Sequence, residues 1–287
     1  MNRLLLLVLV CLTLLATACK KDDESDDEGQ RVAIDTDTQS TRDYSTADTE
    51  ANKTMDFALR AYEELRSGKT SDLPRILPEC AWTSLDTSGS THRLTIDFGT
   101  EGCLCTNWDG RIRRGKLFIN FTGRYLTPGS EYQVQSLNYY VGDNEHRINH
   151  RVRNIGPNAS NEPRYQVSIS DTVLTRTGAI RLQADRLRTW VEGSNTLNNP
   201  WDDVYEISDQ DAQRGSTGVN RRGESFRVRI TTPLRVVIDC REKVVSGVLE
   251  LTPSQGVVRF IDYGRGACDG LLTVVIRNRA FTVPIYG

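Results

Sequence analysis

Apolar and polar positions alternate over much of the chain. Leu117, Ile119 and Phe121 interleave with Lys116, Phe118 and Asn120. Tyr165, Val167 and Ile169 interleave with Gln166, Ser168 and Ser170, and Phe226, Val228 and Ile230 with Arg227, Arg229 and Thr231. A period of two puts each set on one face of an extended strand. Further β-rich runs occupy 132–141, 180–184, 186–191, 234–240, 244–251, 257–263, 271–276 and 281–285. Turn signals divide them, among them Pro128-Gly129, Gly142-Asp143-Asn144, Gly156-Pro157-Asn158, Asn198-Asn199-Pro200 and Ser254-Gln255-Gly256. About a dozen strands with few helices between them predict a mainly β fold. The expected form is an antiparallel meander closing into a sandwich or a curved, partly open barrel. The Arg- and Thr-rich polar set predicts one wet face.

One stretch keeps a helical period. Met55, Leu59, Tyr62 and Leu65 recur on one side, with Gly68 as a stop signal, which predicts a single N-terminal helix over about 49–67. Residues 19–48 carry many more acidic than basic side chains and few apolar ones. Such a segment buries too little surface to offset its chain entropy, so a disordered acidic tether is expected there. Ahead of it, Arg3 precedes an apolar run over 4–15, short for a bilayer span and suited to a signal peptide over 1–18. The run ends Leu15-Ala16-Thr17-Ala18-Cys19. Small residues before a cysteine resemble a bacterial lipobox, which implies cleavage before Cys19 and acylation of its thiol. The β-rich domain is expected to fill 49–287.

An internal repeat organises the cysteines. Ile96-Asp97-Phe98-Gly99 leads to Cys103, and Ile261-Asp262-Tyr263-Gly264 leads to Cys268, both as I-D-aromatic-G-x-x-x-C. Asp109-Gly110 follows the first and Asp269-Gly270 the second, and Cys80 and Cys240 lie upstream. Two related β units are expected, one starting near Cys80 and one near Leu234. In an oxidising compartment the repeat favours Cys80–Cys103 and Cys240–Cys268 bridges. Cys105 lies two residues past Cys103, on the same side if extended, and remains an alternative partner for Cys80. With Cys11 removed and Cys19 acylated, an odd number of cysteines is left, so at least one stays unpaired within the chain. A four-thiolate metal site is disfavoured for want of a C-x-x-C pair.

Little else points to chemistry. His146 and His150 are read as exposed strand histidines, and no nucleophile-elbow, HExxH or phosphate-loop pattern occurs. No catalytic residue, metal or cofactor is expected. Paired acids beside aromatics make Trp201, Asp202, Asp203 and Tyr205 the candidate ligand contacts, through sugar or Ca²⁺ binding. The formal net charge of the whole chain is −2, and the mild basic excess beyond residue 50 is scattered, so no nucleic-acid partner is expected.

Several local sequences carry a family resemblance. Thr95-Ile96-Asp97-Phe98-Gly99, Cys103-Leu104-Cys105, Asp109-Gly110-Arg111, Arg188-Thr189-Trp190, Asp202-Asp203 with Tyr205-Glu206-Ile207, and the second repeat resemble an uncharacterised family of Bacteroidota cell-envelope lipoproteins. Lys20-Lys21 followed by Asp22-Asp23-Glu24 resembles their surface-export signal. The resemblance implies an outer-membrane protein held by lipid at Cys19, facing the cell surface or the periplasm. Its expected role is a non-catalytic binding or envelope component, with a glycan or an envelope protein as partner. A glycan-acting enzyme using the Asp pair and an open-barrel lipid carrier are the alternatives.

Overall fold

The computed structural model describes residues 37–67, 76–196, 199–240 and 243–285. Helix α1 (Gln39–Ser67) comes first. Then come β1 (Trp82–Asp86), β2 (His92–Asp97), β3 (Cys103–Leu104), β4 (Ile112–Phe121), β5 (Glu131–Val141), β6 (Asn144–Pro157), β7 (Pro163–Thr175) and β8 (Gly178–Glu192). They are followed by β9 (Val204–Asp209), β10 (Ser216–Val219), β11 (Ser225–Val237), β12 (Lys243–Pro253), β13 (Arg259–Arg265), β14 (Leu271–Ile276) and β15 (Arg279–Pro284). All form one antiparallel sheet of 15 strands running β1-β2-β4-β5-β6-β7-β8-β10-β11-β12-β13-β14-β15, with β3 on β4, and β9 between β8 and β11. The mainly β meander with one N-terminal helix is therefore the fold.

The sheet curls around α1. Tyr62 meets Phe121 and Tyr132 on β4 and β5, Phe57 meets Phe98 and Trp108, and Tyr44 meets Phe226 on β11. From Ser40 to Tyr62 every helical residue is buried except Arg42, Thr46 and Arg60. A helix that meets protein on all sides needs no single apolar stripe, and this one carries charge into the interior.

The helix begins ten residues earlier than its periodicity predicts. Residues 39–48, expected in the tether, are helical, and Asp43 and Asp48 are buried. The Asp37 carboxylate accepts the Gln39 amide and covers one donor of the first turn. Residues 1–36, with the expected signal peptide, Cys19 and most of the tether, lie outside the described residues.

Two runs expected as separate strands, 180–184 and 186–191, are one strand, β8. β11 likewise continues through Pro233, where register shifts between Ile230 and Val236 absorb the missing amide.

The repeat is real in three dimensions. In each unit a cysteine precedes a strand (β1 or β12), which pairs with the next (β2 or β13), which pairs with a third (β4 or β14). Asp97 Oδ1 accepts the Gly99 amide, and Asp262 Oδ1 accepts the Gly264 amide. Both glycines have positive φ, +71° and +84°, a region that a side chain disfavours. Asp109 and Asp269 then accept the amides of Arg111 and Leu271 in the same way. Cys80 is bonded to Cys103 and Cys240 to Cys268, each bridge tying the open end of a hairpin, while Cys105 is a buried free thiol. The second unit begins at Cys240; Leu234 belongs to β11. The bridges close loops of 23 and 28 residues, worth roughly 3–4 kcal/mol each through the entropy of the unfolded chain. Cys240→Ala/Cys268→Ala should lower the urea midpoint accordingly, and an unchanged midpoint would show that this flank is held by packing alone.

Candidate functional site

The sequence-derived candidates sit where the helix meets the sheet. A short 3₁₀ turn, Pro200–Asp202, delivers the chain into β9. Arg60 of α1 donates to Asp203 Oδ2 at 2.6 Å, and the Tyr205 hydroxyl donates to the same oxygen at 3.4 Å. The Arg188 guanidinium lies 3.5 Å from the centre of the Tyr205 ring and donates to Asp56 at 2.8 Å. Trp201 packs on Trp108, with ring centres 6.0 Å apart. Asp202 instead faces solvent and accepts the Thr196 hydroxyl at 2.7 Å. Neighbours in sequence, the two acids point to different surroundings, so the pair does not form a two-carboxylate site.

Burial pushes Asp203 up to about 6, a rise that the Arg60 cation only partly offsets. An ordinary carboxyl titrates near 3.9, so between roughly pH 4 and 6 the folded chain holds a proton that the unfolded chain has lost. The contribution of Asp203 to stability is thus fully present below about pH 4 and is lost as pH rises through about 6. The stability difference, native chain minus Asp203→Asn, should fall across this window in urea titrations. A rise would reverse the sign of this reading.

The other histidine and arginine signals also turn inward. His146 and His150 are both buried on the inner face of β6, because an i, i+4 spacing in a strand keeps one side. This corrects the expectation of exposed histidines: strand parity, hidden by the polar neighbours Arg147, Asn149 and Arg151, sets their face. His150 Nε2 lies 2.7 Å from Asp171, and burial pushes His146 down. Among the described residues, no three His, Cys, Asp or Glu side chains gather as metal ligands would.

The outer face offers a different feature, a groove of about 520 Å³ over β7, β8, β10, β11 and β12. Strand register builds it. Ser170 pairs with Gln183, Gln183 with Thr217, Thr217 with Arg227, and Arg227 with Thr252. These five side chains stand in one outward row. A second row places Thr172 opposite Arg181, Arg181 opposite Val219, and Val219 opposite Ser225. β10 is only 4 residues long and presents the small Thr217 between the long side chains of Gln183 and Arg227, so the surface dips there. Gly218, on the inner side of β10, leaves room for the Phe226 ring; a Cβ there would lie 2.3 Å from that ring.

Arg181 and Arg227 reach into the groove, and neither has an ion-pair partner among the described residues. The one acid among the lining residues, Asp171, turns its carboxylate inward to His150. The groove is therefore electropositive and rich in hydroxyl and amide groups. No local motif announces it, because its residues come from five strands and only register assembles them. No protein-family model, curated protein or solved structure matches this chain.

Proposed function

We propose that the chain is a lipid-anchored outer-membrane protein, displayed at the cell surface, whose body acts by binding rather than catalysis. The outward electropositive groove carries this reading, since it is a built polar surface open to solvent. The Leu15–Cys19 sequence and the resemblance to Bacteroidota lipoproteins support the anchor and address. Two observations weaken the alternatives. Asp203 is held by Arg60 while Asp202 faces outward, which deprives a glycan hydrolase of its acid pair. Helix α1 fills the concave face that a lipid carrier would use.

Cys19→Ala should move the protein from the membrane to the soluble fraction, and membrane retention of that variant would refute the anchor. Protease added to intact cells should cut the native chain; cutting only after lysis would place it on the periplasmic leaflet. The detergent-solubilised full chain, immobilised, should retain carbohydrate from an envelope extract, and retention of none would refute the binding role.

A further inference from the structure

We infer that the outer groove is a binding site for an extended acidic glycan, one bearing anionic groups on at least every second sugar and lying across the strands. This rests on the binding role proposed above and assigns its ligand class.

Three features of the groove select this chemistry. The first is spacing. The row from Ser170 to Thr252 offers one side chain per strand, and neighbouring strands are about 4.8 Å apart, close to the advance of one hexose in an extended chain. A glycan crossing the strands can therefore present one sugar to each. The second is charge. Arg181 and Arg227 are two strands and two residues apart, which sets their Cα atoms on the order of 12 Å apart. That is about two sugars, so both cations meet acids when these recur on at least every second unit. A guanidinium binds a carboxylate or sulfate through paired N–H donors, and among the described residues no acid pairs with Arg181 or Arg227. The third is the rest of the lining. Ser170, Gln183, Thr217 and Thr252 supply donors and acceptors suited to sugar hydroxyls. No aromatic ring lies outward in the groove, since Phe226 packs on the inner side. Stacking on a neutral sugar is thus missing, and charge and hydrogen bonds must supply the affinity.

The test is calorimetric titration of the full chain in detergent with an oligogalacturonate of about six sugars. Its methyl ester, inorganic phosphate and duplex DNA are the comparison ligands. The oligogalacturonate should bind, and more weakly as salt rises. Arg181→Ala or Arg227→Ala should each weaken it at least tenfold, as expected for loss of a charge-assisted contact. The methyl ester should bind at least tenfold more weakly, because its backbone is unchanged and its charges are gone. Equal binding of the ester would overturn the acidic class. Equal competition by phosphate, at matched charge, would reduce the site to a simple anion site and overturn the glycan. Tighter binding of DNA would overturn the assignment in favour of a general polyanion surface. Binding that ignores both arginine substitutions would overturn the groove while leaving the binding role standing. Retention of envelope carbohydrate without oligogalacturonate binding would overturn the ligand class alone. Both arginines face solvent on strands whose inner neighbours form the core, so the variants should keep the native urea midpoint, which confirms that they fold.

Discussion

A chain that starts at residue 76, and so lacks α1, should show no cooperative unfolding transition in urea. The reason is the size of what α1 contributes. Tyr44, Met55, Phe57, Leu59 and Tyr62 are all buried against the sheet. Side chains of this size stabilise by roughly 1.5–3 kcal/mol each, together on the order of 10 kcal/mol. That equals the whole net stability of a typical domain, about 5–15 kcal/mol. Loss of the helix would also leave Arg186 and Arg188, each within 2 % of full burial, without the carboxylates of Asp48 and Asp56. Near-UV circular dichroism should be weak for the shortened chain. A peptide of residues 37–67 added in trans should restore the signal. A shortened chain that unfolds sharply at the midpoint of the full chain would show that the sheet stands without its filling.

Asp56→Ala should lower stability by about 3–5 kcal/mol, a typical cost of stranding one member of a buried ion pair. The Asp56 and Arg188 side chains are 3 % and 2 % exposed, and they meet at 2.7 Å. After the change, the Arg188 guanidinium still faces the Tyr205 ring and the Met55 sulfur, at 3.5 and 4.0 Å. Neither accepts a charge-assisted bond as a carboxylate does. Replacing both partners with apolar side chains, Asp56→Leu with Arg188→Met, should recover most of the loss, since the desolvation cost then disappears with the charges. Urea unfolding of the native chain, both single variants and the double variant closes the cycle. A double variant as unstable as Asp56→Ala would mean that packing against Tyr205, not charge, is what Arg188 contributes.

The two variant sets bear on what could be read from the sequence. Strand alternation and the repeat pointed to the sheet and favoured both bridges, while Cys105 stayed an alternative partner for Cys80, because period two and cysteine spacing are local signals but two thiols on one face are equivalent to them. The first third of α1 was hidden. Gln39-Ser40-Thr41-Arg42-Asp43 has little helix propensity and the look of a solvated tether. Its helix depends on partners far along the chain, such as Arg221 for Asp43. The inward turn of Arg186 and Arg188 likewise makes sense only once a charged helix lies opposite, with Asp48 and Asp56 to meet them. Tyr205 and Asp203 were found as a cluster but given the wrong neighbours, since Arg60 sits 143 positions upstream of Asp203. The groove was invisible because each of its residues is unremarkable until register lines them up.

The ion pairs at the start of α1 also set a timetable for folding. Asp43 meets Arg221 across 178 positions, Asp37 meets Arg222 across 185, and the Asp37 carbonyl accepts Arg259 across 222. None of these partners exists until most of the chain has been made, and contacts of such long sequence separation form slowly. During that wait an apolar helix would be a sticky surface, open to association with other unfinished chains. The acids, serines and threonines of α1 keep the helix soluble while it has nothing to hold. The cost of burying Asp43 is thus met late in folding, when the segment just before β11 brings Arg221 to cancel its charge.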